Sequence, residues 1–142
     1  MKANCIQSTD LKRTAEDLVT QLKVLGFVVQ RYDAYSTASV YLKLDYGICN
    51  SIRISDHRGK KHLNYRYNLI RGCKEAYSET TPKGWARHYF PIEQVLELVM
   101  CILADRSNKL GKHGKEGYAR LMDANKYKHG NDPGFWRNAL IV

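Results

Sequence analysis

The chain has 142 residues, with 23 Lys and Arg against 14 Asp and Glu, for a formal net charge of +9. Hydrophobic residues make up 44% and charged residues 26%, which excludes a disordered polyelectrolyte and suits one domain with a sizeable core. The basic excess points to an anionic partner, nucleic acid first and an acidic protein surface second. A basic but merely solvated surface is the alternative.

Cys5, Cys49, Cys73 and Cys101 are spread along the chain without a C-x-x-C pair, a spacing that fits neither a zinc ribbon nor a dense disulfide framework. Cys101 lies in an apolar helical run and reads as a small core residue. No basic-then-apolar leader follows Met1 and no apolar run is long enough to span a bilayer, so the expected setting is a reducing cytoplasm with no membrane partner.

From Thr9 the positions Leu11, Ala15, Leu18, Val19, Leu22 and Leu25 recur at helical spacing, with Lys12, Arg13, Glu16, Asp17 and Lys23 on the other side. Thr9 or Asp10 can cap the start, and Gly26 can end the helix in the left-handed conformation. Phe27 to Val29 then read as a strand leading into Arg31, Tyr32 and Asp33, and Ala34 to Ala38 as a turn.

The best-patterned stretch is Ser39 to Ile70, SVYLKLDYGICNSIRISDHRGKKHLNYRYNLI. Val40, Leu42 and Leu44 alternate with Tyr41 and Lys43, and Asp45-Tyr46-Gly47 supplies turn chemistry. Ile48, Ile52 and Ile54 resume the apolar face while Ser51, Arg53 and Ser55 point away. After the polar turn Asp56–His62, the set Leu63, Tyr65, Tyr67 and Leu69 alternates with Asn64, Arg66 and Asn68. Short connections between such strands favour an antiparallel meander.

Gly72 to Gly84 reads as a loop, and Trp85 to Phe90 as a further strand with Trp85, Arg87 and Tyr89 on one side. Pro91 suits the first position of a helix. A wide apolar stripe follows, from Ile92, Val95, Leu96 and Leu98 through Val99, Met100, Ile102 and Leu103 to a stop at Gly111, and it implies deep burial. GKHGKEG, residues 111–117, is the expected hinge, followed by a short helix from Tyr118 to Lys128. Asn131-Asp132-Pro133-Gly134 marks a turn, and Phe135, Trp136, Leu140, Ile141 and Val142 imply docking onto the body or a partner, a homodimer included.

The expected architecture is therefore α+β: one core domain over residues 1–110, with a meander of three to five strands covered on one face by two helices. A glycine-hinged basic extension with a short helix occupies 111–142. The uncovered sheet face would carry Tyr41, Lys43, Arg53 and Arg66, in which cations suit phosphates and rings suit bases. His57, Arg58, Lys60, Lys61 and His62 would form a basic hairpin tip that enters a groove or clamps a backbone. The same pattern also fits a solvated face that discourages edge pairing. No phosphate-cradling glycine loop and no nucleophile elbow is present, and no cofactor or metal is expected. An enzyme remains open only as a small metal-dependent nuclease built on Asp45, Asp56 and His57, although both aspartates are ordinary turn residues.

In Ser39–Ile70, and most specifically over Ser51–His57, the sequence resembles small proteins carried by phages and mobile elements of Gram-positive bacteria. Those proteins share a serine, an alternating I-R-[IL]-S-[DN]-H strand and a hydrophilic hairpin, followed by an apolar helix, here Pro91 to Leu110. The set includes anti-CRISPR proteins, inhibitors of the RNA-guided effector nuclease of type II systems. The resemblance spans roughly residues 39–125 in outline. It implies a non-enzymatic protein of the bacterial host cytoplasm, whose partner is guide RNA, DNA or a nucleic-acid-handling host enzyme such as a CRISPR effector nuclease.

Overall fold

A computed structural model describes residues 8–34, 39–55, 64–69, 77–80, 86–128 and 140–142. The class is α+β, with seven strands among the described residues forming one sheet in the order β5-β6-β4-β3-β2-β1-β7. They are β1 (Val29–Asp33), β2 (Val40–Leu44), β3 (Ser51–Ser55), β4 (Asn64–Leu69), β5 (Tyr77–Thr80), β6 (Ala86–Pro91) and β7 (Leu140–Ile141). Every neighbouring pair is antiparallel. The meander runs through β1 to β4 in sequence. It then skips, because β6 takes the free edge of β4 and β5 pairs outside it.

Helix α1 (Ser8–Val24) buries Leu11, Ala15, Leu18, Val19 and Leu22, the predicted stripe less Leu25, which is exposed at the helix end. Gly26 closes it with φ +91, donating to the Lys23 carbonyl while the Phe27 N–H reaches the Leu22 carbonyl. That pairing satisfies two carbonyls the helix would otherwise leave open. α1 packs on β1, β2 and β3, and its buried stripe shares one cluster with Val40, Leu42, Leu44, Ile52, Ile54, Tyr65, Tyr67 and Phe90.

Pro91 does not open the second helix. Its extended backbone (φ −59, ψ 156) ends β6 and precedes a 3-10 turn, Ile92–Gln94, from which α2 (Val95–Lys128) proceeds. Leu98, Val99 and Ile102 join the same core as α1, so both helices cover one face of the sheet. The full width of the predicted stripe is not buried: Leu96 and Met100 are exposed at 65% and 61%. A cylinder against a sheet hides only the arc that faces it, and these two positions lie off that arc.

Gly111 is not a helix stop either; it sits within α2, and the break falls at Gly114 (φ 74, ψ 164). That φ lies in the region L side chains rarely adopt, so glycine is what permits the change of direction there. Beyond the break Tyr118 is buried, and the chain ends as β7 on the outer edge of β1, with the Val142 N–H donating to the Val29 carbonyl. The stretch read as a loop between β4 and β6 holds β5, whose polar sequence YSET offers no alternation to detect. No helix among the described residues is long and apolar enough to cross a membrane. The expected turns 35–38 and 56–62, and Leu63, Trp85, Phe135 and Trp136, lie outside the described residues.

Two of the three glycines of α2 should respond oppositely to alanine. Gly111 is helical with open space at its Cβ position, so Gly111→Ala should raise stability by about 0.5–1 kcal/mol. At Gly114 the space is also open but φ is positive, so Gly114→Ala should cost about 1–3 kcal/mol. Chemical denaturation of the two variants reads both signs.

Candidate nucleic-acid interface

Strand alternation and register place a row of planar and cationic residues on the face away from the helices. Tyr32 pairs with Tyr41, Tyr41 with Arg53, Arg53 with Arg66, and Arg66 with Tyr89. The row thus crosses β1, β2, β3, β4 and β6 at one level, and Tyr77 of β5 is next in register. Each of the five is half-buried. The Tyr32 and Tyr41 rings lie 6.4 Å apart at 46°, and Arg53 Nε donates to Ser55 Oγ at 3.4 Å. Period-2 geometry is the cause: Leu42, Ile52, Ile54, Tyr65, Tyr67 and Phe90 turn inward, so the residues between them turn out.

Three of the predicted site residues, Tyr41, Arg53 and Arg66, are therefore brought together. Lys43 shares their face but stands one register step away, between Gln30 and Ser51. Its Cε lies 3.2 Å from where a Cβ on Gly47 would sit, so the side chain runs along the β2–β3 turn, outside the row. His57, Arg58, Lys60, Lys61 and His62 lie outside the described residues. Tyr32 and Tyr89 are members that sequence reasoning missed. Alternation gives the facing of Tyr89, but nothing local announces that β6, across the intervening β5, pairs with β4.

Asp45 lies away from this row, among partners inside the fold. It is 1% exposed, its Oδ1 accepts from the Val28 N–H at 2.9 Å, and its Oδ2 accepts from the Tyr118 hydroxyl. Arg106 Nε stands 3.7 Å from the same Oδ2. Both oxygens of Asp45 are thus engaged by partners within the fold, and Asp56 and His57, the other members of the nuclease alternative, lie outside the described residues. Among the described residues no group of three His, Cys, Asp or Glu is placed to hold a metal ion. Asp105 gathers a second set: Oδ2 accepts from Asn50 Nδ2 at 2.8 Å, the Tyr67 hydroxyl at 2.9 Å and Lys109 Nζ at 3.3 Å.

Burial pushes the Cys49 thiol from 9.0 up to about 12; its hydrogen bond with Tyr67 opposes the rise and the Asp105 charge adds to it. A thiol so placed is protonated and unreactive near neutrality. Burial likewise raises Tyr65 to about 12, with the Asp17 charge adding, and lifts Tyr67 and Tyr118 well above the usual phenol range. Cys49, Tyr67 and Tyr118 serve the core as neutral donors, to the Ile102 carbonyl, to Asp105 and to Asp45.

No protein-family model, curated protein or solved structure matches the chain.

Because folding favours the protonated Cys49, its contribution is complete below the ordinary thiol value of 9.0 and is lost as pH climbs toward about 12. Tyr65 acts with the same sign from 10.0 upward. The denaturation midpoint should stay level near neutrality and fall across that alkaline window, and Cys49→Ala should make the fall shallower. A midpoint that is level throughout would contradict the burial of both groups.

Proposed function

We propose that this is a non-enzymatic basic protein that binds nucleic acid, free or within a ribonucleoprotein, through the Tyr–Arg row of the sheet face opposite α1 and α2. The observation that carries the reading is the register itself: two arginines side by side at the centre of the sheet, flanked by tyrosines, in a chain of net charge +9. Cations of this kind neutralise phosphates and release their counterions, and the rings offer apolar planes to bases. The likeness of Ser39–Ile70 to proteins of phages and mobile elements adds a biological role to this chemistry. On that reading the protein acts in the bacterial cytoplasm and blocks host defence by engaging the guide RNA, the DNA or the effector nuclease of a type II CRISPR system. A basic surface would speed such an encounter and make it sensitive to ionic strength.

Binding of labelled RNA and DNA, measured over a range of salt concentrations with and without magnesium, tests the proposal. The parent protein should bind without cleaving. Combining Arg53→Ala with Arg66→Ala should weaken binding and reduce the slope of log affinity against log salt by about 1 for each phosphate contact removed. An unchanged slope would move the site off the sheet face, and magnesium-dependent cleavage would overturn the non-enzymatic reading. Addition of the protein to a reconstituted RNA-guided nuclease should suppress target cutting; undiminished cutting would remove the proposed role in defence.

A further inference from the structure

Resting on the nucleic-acid reading above, we infer that the occupant of this face is a single-stranded polynucleotide, laid across the strands, with a phosphodiester gripped between Arg53 and Arg66 and bases stacked on the flanking tyrosines. Arg53 and Arg66 are direct cross-strand partners on two central strands. A guanidinium presents its donors as a fixed fork that matches phosphate oxygens, so two forks from adjacent strands can hold one phosphodiester from both sides. Diagonal to the pair on β3 stands Ser51, a half-buried neutral hydroxyl that suits a sugar–phosphate chain.

The order along the row selects the form of the polymer. It reads tyrosine, tyrosine, arginine, arginine, tyrosine over five adjacent strands. At about 4.8 Å per strand the row is about 19 Å long, which suits the short end of the roughly 4–16 nucleotides a single-strand platform covers. Rings can stack only on bases whose faces are free, and a duplex buries those faces. Reading a duplex instead requires an element narrow enough to enter a groove, and a broad sheet face is not one. An acidic peptide would satisfy the arginines but would give the tyrosines no planar partner. The clamp sees phosphate and base, which RNA and DNA share.

The test uses the full chain and fluorescence anisotropy with a short oligothymidylate, its oligouridylate counterpart, a mixed-sequence duplex of equal length and a polyglutamate peptide. Both single strands should bind more tightly than the duplex or the peptide; a preference between them would report on the 2′-hydroxyl. Tyr41→Ala and Tyr89→Ala should each lose about tenfold in single-strand affinity, while Tyr41→Phe and Tyr89→Phe, which keep the ring, should bind as the parent does. Arg53→Lys keeps the charge and loses the fork, so it should weaken binding while leaving the salt slope in place. A duplex bound as tightly as the single strands, or alanine variants that bind like the parent, would overturn the single-strand inference and leave the nucleic-acid reading standing. Polyglutamate bound as tightly as the oligonucleotides, or no binding of any nucleic acid, would overturn both.

Discussion

A buried carboxylate holds this fold in its arrangement. Asp45 sits at the β2–β3 turn with almost no solvent exposure, and it joins the approach to β1 through Val28, the middle of α2 through Arg106, and the far part of α2 through Tyr118. Taking a charge out of water is costly, and the cost is offset by hydrogen-bond donors and opposite charge brought up to it. Asp45 has two donors, the Val28 N–H and the Tyr118 hydroxyl, and the Arg106 charge 3.7 Å away, so partners from three parts of the chain are tied to one carboxylate. Arg106 extends the tie to α1: its guanidinium donates to the Leu25 and Gly26 carbonyls and lies 4.3 Å over the Phe27 ring. The neighbouring Asp105 fastens the same helix to Asn50 and Tyr67. One turn of α2 thus fixes both helices to one side of the sheet.

That one-sidedness gives the opposite face its character. With both helices on the inner face, the apolar alternation of β2, β3 and β4 is spent there, and the intervening positions carry Tyr41, Lys43, Arg53 and Arg66, all half-buried, with Ser55 buried beside them. The turn that seats Asp45 has its own geometric cost, since Asp45, Tyr46 and Asn50 all adopt positive φ. Such backbone strain is kept only where surrounding contacts over-determine it. Here the contacts are visible: Asn125 donates to the Tyr46 carbonyl, Lys109 to the Ile48 carbonyl, and the Asp45 N–H to the Val28 carbonyl. The strain belongs to the architecture, and the chemistry proposed for the protein lies on the other surface.

Alternation made β2, β3 and β4 legible in the sequence because their inward and outward sets differ sharply: Val40, Leu42, Leu44, Ile52 and Ile54 against Tyr41, Lys43 and Arg53. Gly26 was legible as a helix end for an equally local reason, the need for a left-handed residue. What escaped depends on distant partners. Asp45 looks like any turn aspartate until Arg106 and Tyr118 arrive from far along the chain, and Asp105 and Arg106 look like ordinary helix-surface charges. Leu96 and Met100 share the apolarity of Leu98 and Ile102, and only the docked helix decides which of them is covered. Of the candidate site, Tyr41, Arg53 and Arg66 could be assigned to one face from spacing alone. Tyr32 and Tyr89 could not be joined to them, because that requires the register of β1 on β2 and of β6 on β4.

Binding on the sheet face opposite the Asp45-fastened helices is what the proposed function requires. Heteronuclear NMR spectra recorded while single-stranded RNA is added would test it most directly, through the side-chain Nε–H signals of Arg53 and Arg66 and the backbone amides of β2, β3, β4 and β6. Shifts concentrated on those signals, with the Leu98–Ile102 segment of α2 unmoved, are the predicted result. Shifts confined to the helices, or a spectrum that does not change on saturation with RNA, would contradict it.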